Sequence, residues 1–201
     1  MADFSAALPF LLKHEGGYSP ANPKTGDPET NLGITVETAR AHGYNGPMKD
    51  LPPETAAAIY QQSYWRYSGI QNQDIATKLL DASANFGPSE AIRMAQVATN
   101  SLVDPPVDED GNWGPDTEDA INSADPIQFA NVYTQIMQNH YQDIVNRKPQ
   151  KPPYLNGWLD RAEDWPGDLA DAIGNAGVAT FGALAALVTI AALGILLWLR
   201  K

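Results

Sequence analysis

The sequence predicts a mainly α-helical fold with one small irregular loop or hairpin and a C-terminal transmembrane helix. Three observations support this fold class. Apolar residues recur at helical spacing, proline and glycine mark helix starts and ends, and strand-like runs are only a few residues long. With 201 residues, 43% of them hydrophobic, the chain is long enough for one or two domains with a buried core.

Residues 4–15 form the first predicted helix because their apolar residues fall on one face. The helix is expected to begin near Ser5, since Pro9 is tolerated only in a first turn, and to stop at Gly16. Residues 18–35 are rich in proline, glycine, asparagine and aspartate, which predicts an irregular loop or a small hairpin.

The later helices are placed by their start signals, which are capping side chains or first-turn prolines. Such signals stand at Thr35, Pro53, Pro88, Pro115 and Asp125-Pro126. The predicted helices cover residues 36–42, 53–65, 73–84, 88–102, a short stretch from 115, 126–147 and 155–164.

The composition excludes several functional classes. A net charge of −11 argues against a basic face for nucleic acid, so no nucleic-acid partner is expected. Cysteine is absent, which rules out disulfides, a cysteine nucleophile and zinc–thiolate sites. The three histidines, His14, His42 and His140, are far apart, and the acidic loop Asp104–Asp110 lacks the spacing of a calcium loop. We therefore expect neither a metal nor a cofactor.

The C-terminal residues carry a strong membrane signal. No charged residue occurs in 172–199, and the apolar run AGVATFGALAALVTIAALGILLWL extends from Ala176 to Leu199. At ~1.5 Å per residue, this run would span a hydrocarbon layer of about 30 Å. A tryptophan and two basic residues end it, as at a membrane interface. We predict a lipid bilayer as partner through residues 172–199, with a buried core helix as the alternative.

The charge at the end of this segment predicts its orientation. Arg200 and Lys201 are expected on the cytoplasmic side, which leaves the rest of the chain outside the cytoplasm. No N-terminal signal peptide is recognisable, so we expect the internal membrane of a virion or the host inner membrane. Gly182 and Ala186 stand about one turn apart, which suits packing in a homo-oligomer or against other virion proteins. The alternative is an alanine-rich single span.

The segment KHEGGY, residues 13–18, places Glu15 between an apolar helix and two glycines. One interpretation is a solvated glutamate followed by a helix stop. The other is a catalytic acid, because Leu11 and Leu12 can desolvate its carboxyl and the glycines leave room for a sugar. Glycoside hydrolysis needs such a proton donor together with a second carboxylate.

The runs ALPFLLKHEGGY, TNLGIT and AIYQQSYW resemble the glycoside hydrolase family 108 lysozymes, which are N-acetylmuramidases, many of them from phages. The resemblance continues through LLDASANFGPSEAIRMAQVA at 79–98. DGNWGPDTEDAI at 110–121 is similar to the family's peptidoglycan-binding region, and YLNGWLDRAE at 154–163 to its closing Gly-Trp-x-x-Arg stretch. Residues 4–164 are covered in order.

The resemblance implies a lysozyme-like helical fold with Glu15 as catalytic acid, Asp27 as second carboxylate and Thr30 as the residue that orients water. The loop YSPANPKTGDPETNLGIT, residues 18–35, keeps the family's Asp-Pro at Asp27 but lacks the usual Gly-Gly. Glu29 is therefore a rival for the second carboxylate. The alternative for Asp27 is an ordinary turn aspartate, and for Thr30 a cap.

Five further residues are candidate substrate contacts. Aromatic side chains stack on sugar rings, which points to Tyr18, Tyr64 and Trp65, with core packing as the alternative for the last two. Asn85 in ANFGP is a candidate hydrogen-bond partner for an N-acetyl or hydroxyl group, or a helix cap. Trp113 in GNWGP either contacts glycan or fixes its own loop.

We expect a lysozyme-like catalytic region at 1–102, a peptidoglycan-binding-like helical part at 103–168 and a transmembrane segment at 169–201. The predicted function is a membrane-anchored N-acetylmuramidase that cleaves the β-1,4 bond between N-acetylmuramic acid and N-acetylglucosamine in peptidoglycan glycan strands. A bacteriophage would use it for wall penetration during genome delivery or for lysis. The alternatives are a catalytically inactive structural or peptidoglycan-binding virion membrane protein, and a lytic transglycosylase.

Overall fold

The computed structural model describes residues 1–23, 26–147 and 155–176 of the chain. Helices dominate this part, which confirms the mainly α-helical prediction. The helices are α1 (Phe4–His14), α2 (Val36–Ala41), α3 (Pro53–Tyr64), α4 (Gln73–Phe86), α5 (Pro88–Asn100), α6 (Pro115–Ser123), α7 (Pro126–Arg147), α8 (Leu155–Glu163) and α9 (Gly167–Ala176), with a 3-10 turn at Met48–Asp50. Helices α2 to α8 lie close to their predicted ranges.

The start of α1 corrects one prediction. The helix begins at Phe4 because the Asp3 side chain accepts a hydrogen bond from the backbone N–H of Ser5 at 2.7 Å and caps the first turn. Pro9 consequently lies inside the helix, in its second turn. The expectation that Pro9 belongs to the first turn is wrong, because the cap at Asp3 places the start of the helix closer to the N-terminus than predicted.

The end of α1 also differs from the prediction. The last helical residue is His14, and Glu15 is the C-cap with extended backbone angles, φ −87° and ψ 134°. Its backbone N–H donates to the carbonyl oxygen of Leu11 at 3.2 Å. The chain therefore leaves the helix at Glu15, before the glycines, and Gly16 is not the residue that stops it.

A small hairpin follows the first loop, as the sequence predicted. Strand β1 (Thr30–Asn31) pairs antiparallel with β2 (Ile34–Thr35). The two residues between them, Leu32 and Gly33, both have positive φ, 50° and 74°. Two left-handed residues in a two-residue loop match the right-handed twist of the strands. Leu32 is an unusual residue in this conformation, which glycine adopts without a penalty.

Helix α4 forms the centre of the core. It packs against α1, α3, α5 and α9, and every side chain from Ile75 to Ser83 is buried. A helix that is buried on all sides is usually apolar all round. Here the buried stretch includes Lys78 and Asp81, each 0% exposed. Two buried charges require partners, and both partners come from the last part of the described chain.

Helix α9 was not predicted. It packs against α7 and α4, with Leu169 buried, and the backbone N–H of Leu169 donates to Asp74 Oδ2 at 3.1 Å. None of the helices within the described residues combines the length and the apolar character that a membrane crossing needs. The predicted span beyond Ala176 lies outside the described residues.

Candidate active site

Glu15 is held by a residue that is distant in the sequence. Arg161 of α8 donates from Nη2 to Glu15 Oε1 at 2.9 Å. The side chains of Glu15 and Arg161 are 16% and 15% exposed. The carboxylate is therefore fixed in a largely buried position, yet it keeps some access to solvent.

Asp81 of α4 holds the other side of the same guanidinium. Arg161 donates from Nη2 to Asp81 Oδ1 at 2.8 Å, and its Nε lies 3.2 and 3.3 Å from the two oxygens of that carboxylate. Burial alone would lower the pKa of Arg161, but the charges of Asp81 and then Glu15 outweigh it and raise that pKa. Arg161 is therefore a permanent cation shared by two carboxylates.

The hairpin turn and α3 form the wall beside the second oxygen of Glu15. A Cβ on Gly33 would overlap both Glu15 Oε2 and the Tyr60 hydroxyl. The Tyr60 hydroxyl donates to the backbone carbonyl of Leu32 at 2.9 Å. Burial and the nearby charge of Glu15 raise the pKa of Tyr60, so its hydroxyl stays a neutral donor. The left-handed turn thus brings the backbone close to Glu15 where a side chain would not fit.

Lys78 fixes the backbone at the end of α8. Its Nζ donates to the carbonyl oxygens of Arg161 and Asp164, both at 2.6 Å. A cation at a helix C-terminus satisfies carbonyl groups that have no partner within the helix. Burial lowers the pKa of Lys78 to about 8, although Asp81 and Asp164 act in the opposite direction.

His14 completes the charged surroundings. Its Nε2 lies 2.8 Å from Asp164 Oδ2, and its buried Nδ1 has no hydrogen-bond partner among the described residues. Burial lowers the pKa of His14, and Arg161 and Lys78 act in the same direction, against Asp81 and Asp164. The ring is packed against Phe10, with the ring centroids 4.9 Å apart.

The loop after α1 carries the candidate second carboxylates. Asp27 is exposed and its backbone pairs with Asn22. Glu29 is half-buried and accepts a hydrogen bond from the Tyr18 hydroxyl at 2.9 Å, which raises the pKa of Tyr18. Thr30 is half-buried in β1. Tyr18 is 46% exposed, an unusual fraction for a large side chain in this protein.

Trp65 and Trp113 belong to a row of aromatic side chains. Trp65 lies edge-on to Phe4 at 5.7 Å and to Tyr67 at 5.8 Å, and Tyr67 lies edge-on to Trp113 at 4.9 Å. Both tryptophans are half-buried and pack against the hydrophobic core.

Trp113 also lines an acidic cavity. This cavity has a volume of about 610 Å³ and includes Asp104 and Asp110 in its wall. Asp110 accepts hydrogen bonds from Asn112 and Gln96. Among the described residues, no group of three or more histidine, aspartate or glutamate side chains is arranged to hold a metal ion.

Tyr64 and Asn85 each stand one helical turn after a residue of the site, Tyr60 and Asp81 respectively. Tyr64 is half-buried at the end of α3, with its ring 5.6 Å from that of Tyr60. Asn85 is exposed and stands one helical turn after Asp81; its amide donates to the hydroxyl of Tyr141. Burial raises the pKa of Tyr141, so that hydroxyl remains neutral.

Sequence reasoning missed the ion pairs of Arg161 with Glu15 and Asp81. It expected an apolar wall beside Glu15, and Leu11 is indeed buried, but a guanidinium faces the carboxylate. The signals were present: Asp81 interrupts the apolar run LLDAS, and Arg161 closes the Gly-Trp-x-x-Arg stretch. What the sequence did not contain was their pairing, because the two residues are 80 positions apart.

Two family models each match part of the chain. Residues 8–87 match glycosyl hydrolase 108, and residues 90–163 match a model described as a predicted peptidoglycan domain. The first match contains Glu15 and Asp81, and the second contains Arg161. The protein is therefore a glycoside hydrolase of lysozyme type, and the second match supports peptidoglycan as its partner.

A solved structure shows the same fold. The chain is similar to the structure of SagA from Brucella abortus, with a TM-score of 0.59 and 24% sequence identity, over 79% of this chain and 92% of that chain. No curated protein matches the chain. The protein is thus a peptidoglycan hydrolase with a segment that matches the glycosyl hydrolase 108 model and with a fold similar to that of SagA.

Proposed function

We propose that the protein is an N-acetylmuramidase that hydrolyses the β-1,4 bond between N-acetylmuramic acid and N-acetylglucosamine, with Glu15 as the general acid. The observation that supports this role is the fixed position of Glu15. Arg161 binds one carboxylate oxygen, and the hairpin turn at Gly33 packs against the other. A catalytic acid must be held within reach of the glycosidic oxygen while remaining accessible.

The proposed reaction uses two carboxyl groups. Glu15 donates its proton to the leaving glycosidic oxygen as the bond to the sugar breaks and positive charge develops on the ring. Asp27 stabilises that charge or activates the attacking water, and Thr30 orients the water. Asp27 is exposed on the loop that leads into β1, which suits a group that acts on solvent.

Substrate binding is proposed for five side chains. Tyr18 is an exposed aromatic ring next to Glu29, which suits stacking against a sugar. Tyr64, Trp65, Asn85 and Trp113 are proposed as further contacts along the glycan. A Cβ on Gly16 or on Gly17 would meet nothing within 4 Å, which suits the close approach of a sugar beside Glu15.

Membrane attachment is proposed from the sequence alone. The apolar run 176–199 with its basic end would anchor the protein to a bilayer, in a phage virion or in the host inner membrane. Flotation with phospholipid vesicles tests this proposal. The full chain should float with the vesicles, and a chain ending at Ala176 should not; equal behaviour of the two chains would contradict the anchor.

Clearing of purified peptidoglycan by the full chain tests the catalytic proposal. Glu15→Gln preserves the shape of the side chain but removes the proton donor, and should lower the rate roughly 100-fold or more. Glu54→Gln, in the exposed first turn of α3, is the matched control and should clear like the wild type. Absence of clearing by folded wild-type protein, on walls from several hosts, would favour the non-catalytic peptidoglycan-binding alternative.

A further inference from the structure

We propose that Arg161 and Asp81 act as a positioning pair for Glu15: Arg161 orients its carboxyl group, and Asp81 neutralises the charge of Arg161 so that Glu15 can hold a proton. This inference rests on the proposed role of Glu15 as the general acid. Neither residue is assigned a part in the reaction by the family matches, and neither needs to touch the substrate.

The contacts with Asp81 fix the orientation of the Arg161 guanidinium. Arg161 directs Nε and Nη2 to Asp81 and uses the same Nη2 to reach Glu15 Oε1 at 2.9 Å. A planar guanidinium bound along one edge by a carboxylate has little rotational freedom. The donor that reaches Glu15 is therefore fixed in direction, and only one of the two oxygens of Glu15 is used by it.

Helix α4 anchors the pair of Arg161 and Asp81. Asp81 lies in the fully buried stretch of α4, and its side chain is 0% exposed. Lys78, one turn earlier on α4, binds the backbone carbonyl of Arg161 at 2.6 Å. Helix α4 thus holds both the backbone and the side chain of Arg161. Such support keeps a catalytic group close to its productive position.

The net charge of Arg161, Asp81 and Glu15 depends on whether Glu15 is protonated. One guanidinium faces two carboxylates, so the three groups together are neutral when Glu15 is protonated and carry one negative charge when it is ionised. A cation next to an acid favours the ionised form, which is the wrong form for a proton donor. Asp81 offsets this effect because it accepts more hydrogen bonds from the guanidinium than Glu15 does.

Other ionisable groups face this cluster. The groups around it are Tyr60 from α3, Lys78 from α4, His14 from α1 and Asp164 after α8. Tyr60 stays neutral, and Lys78 and His14 both interact with Asp164. None of these groups is changed in the variants below, so their contributions are common to all of them.

The pH dependence of peptidoglycan hydrolysis by the full chain tests the proposal. Activity requires protonated Glu15, so it is lost on the alkaline side as that group ionises. Asp81→Asn leaves the charge of Arg161 uncompensated and should move the alkaline limb to lower pH by about one unit. Arg161→Gln removes the cation and leaves Asp81, and should move the limb in the opposite direction, with a rate loss of roughly 10-fold or more.

Arg161→Lys separates charge from geometry. It keeps the positive charge but lacks the planar fork, so the alkaline limb should stay near its wild-type position while the rate falls as in Arg161→Gln. Arg93→Gln on α5 is the matched control, because it breaks another guanidinium–carboxylate pair, with Glu90 at 2.6 Å, outside the site. Its pH profile should equal that of the wild type.

The ¹³C resonance of the Glu15 carboxyl carbon, followed against pH in each folded variant, gives the same information where a variant is too slow to assay. Opposite shifts for Asp81→Asn and Arg161→Gln are the expected result. Unchanged titration of Glu15 in both variants would overturn the positioning pair, even if Glu15→Gln is inactive. Absence of hydrolysis by the wild type would instead reject the proposed function.

Discussion

Glu15 and Arg161 are 146 positions apart in the chain, yet a hydrogen bond of 2.9 Å joins their side chains. Each residue lies in a different family match, one in the glycosyl hydrolase 108 segment and the other in the peptidoglycan segment. The candidate catalytic carboxyl group is therefore completed by the segment named for binding. We expect the two segments to fold and act as one unit.

Truncation tests that unit. A chain ending at residue 89 would leave Asp81 and Lys78 without Arg161 and without the carbonyl partners at the end of α8. Removing the partner of a buried charge costs about 3–5 kcal/mol, a large share of the stability of a small domain. We expect no cooperative thermal unfolding transition for this chain, whereas a chain ending at Ala176 should show one. A sharp transition in the shorter chain would contradict the prediction.

Gly33 provides a test of how closely the hairpin approaches Glu15. Gly33→Ala would place a Cβ against Glu15 Oε2 at a φ of +74°, and it should strongly reduce peptidoglycan clearing. Gly43→Ala is the matched control, because Gly43 has a φ of +85° with open space around its Cβ. Left-handed strain should cost about 1–2 kcal/mol in each variant, and Gly33→Ala carries in addition the overlap of its Cβ with Glu15 Oε2 and the Tyr60 hydroxyl.

The comparison of these two glycine variants separates strain from displacement of Glu15. Gly43→Ala measures the strain alone, so its melting temperature should fall less than that of Gly33→Ala, and only Gly33→Ala should lose activity. Full activity in Gly33→Ala would show that the turn can move away from Glu15 without consequence.

We expect Glu90 to make the stability of the fold depend on pH, without an effect on catalysis. Hydrogen bonds from His140 and Arg93 lower its pKa from 4.5 to about 2, although burial acts in the opposite direction. Because the folded-state pKa is depressed, Glu90 stabilises the fold above pH 4.5, and this contribution is lost as the pH falls through about 2.

Glu90→Gln should therefore lower the melting temperature at pH 7, and its difference from the wild type should shrink between about pH 4.5 and 2. Asp143→Asn is the matched control, because Asp143 is 59% exposed and pairs with Arg147 only at 4.0 Å. That variant should melt close to the wild type throughout. A constant difference for Glu90→Gln across this pH range would contradict the assignment.

Substitution of Asp27 and of Glu29 shows which of them is the second catalytic carboxylate. Asp27→Asn should lower the hydrolysis rate by roughly 100-fold, as expected for a group that acts on water or on developing charge. Glu29→Gln should have a smaller effect, because the Tyr18 hydroxyl already engages Glu29 at 2.9 Å. The reverse order of rate losses would assign the role to Glu29.

Local signals account for the part of the fold that the sequence predicted. Asp125 caps α7 through hydrogen bonds to the N–H groups of Ile127 and Gln128, and Thr35 caps α2, as their positions in the sequence indicated. These interactions join residues only two or three positions apart. The same locality explains why Glu15, which lies in a short motif, could be singled out from the sequence alone.

Long-range pairing accounts for what the sequence did not reveal. The contact of Arg161 with Asp81 depends on how α8 packs, and no periodic pattern encodes that packing. Helix α9 was missed because the predicted transmembrane segment, 169–201, included most of its residues. The position of Pro9 was misjudged because the Asp3 cap outweighs the local preference of proline for a first turn.

Mass spectrometry of the fragments released from purified peptidoglycan tests the muramidase activity and the role of Glu15 together. We expect fragments that end in a reducing N-acetylmuramic acid from the wild-type full chain, and almost none from Glu15→Gln. Fragments that end in a 1,6-anhydro sugar would identify a lytic transglycosylase instead. Equal release by Glu15→Gln and the wild type would contradict the role of Glu15 as the catalytic acid.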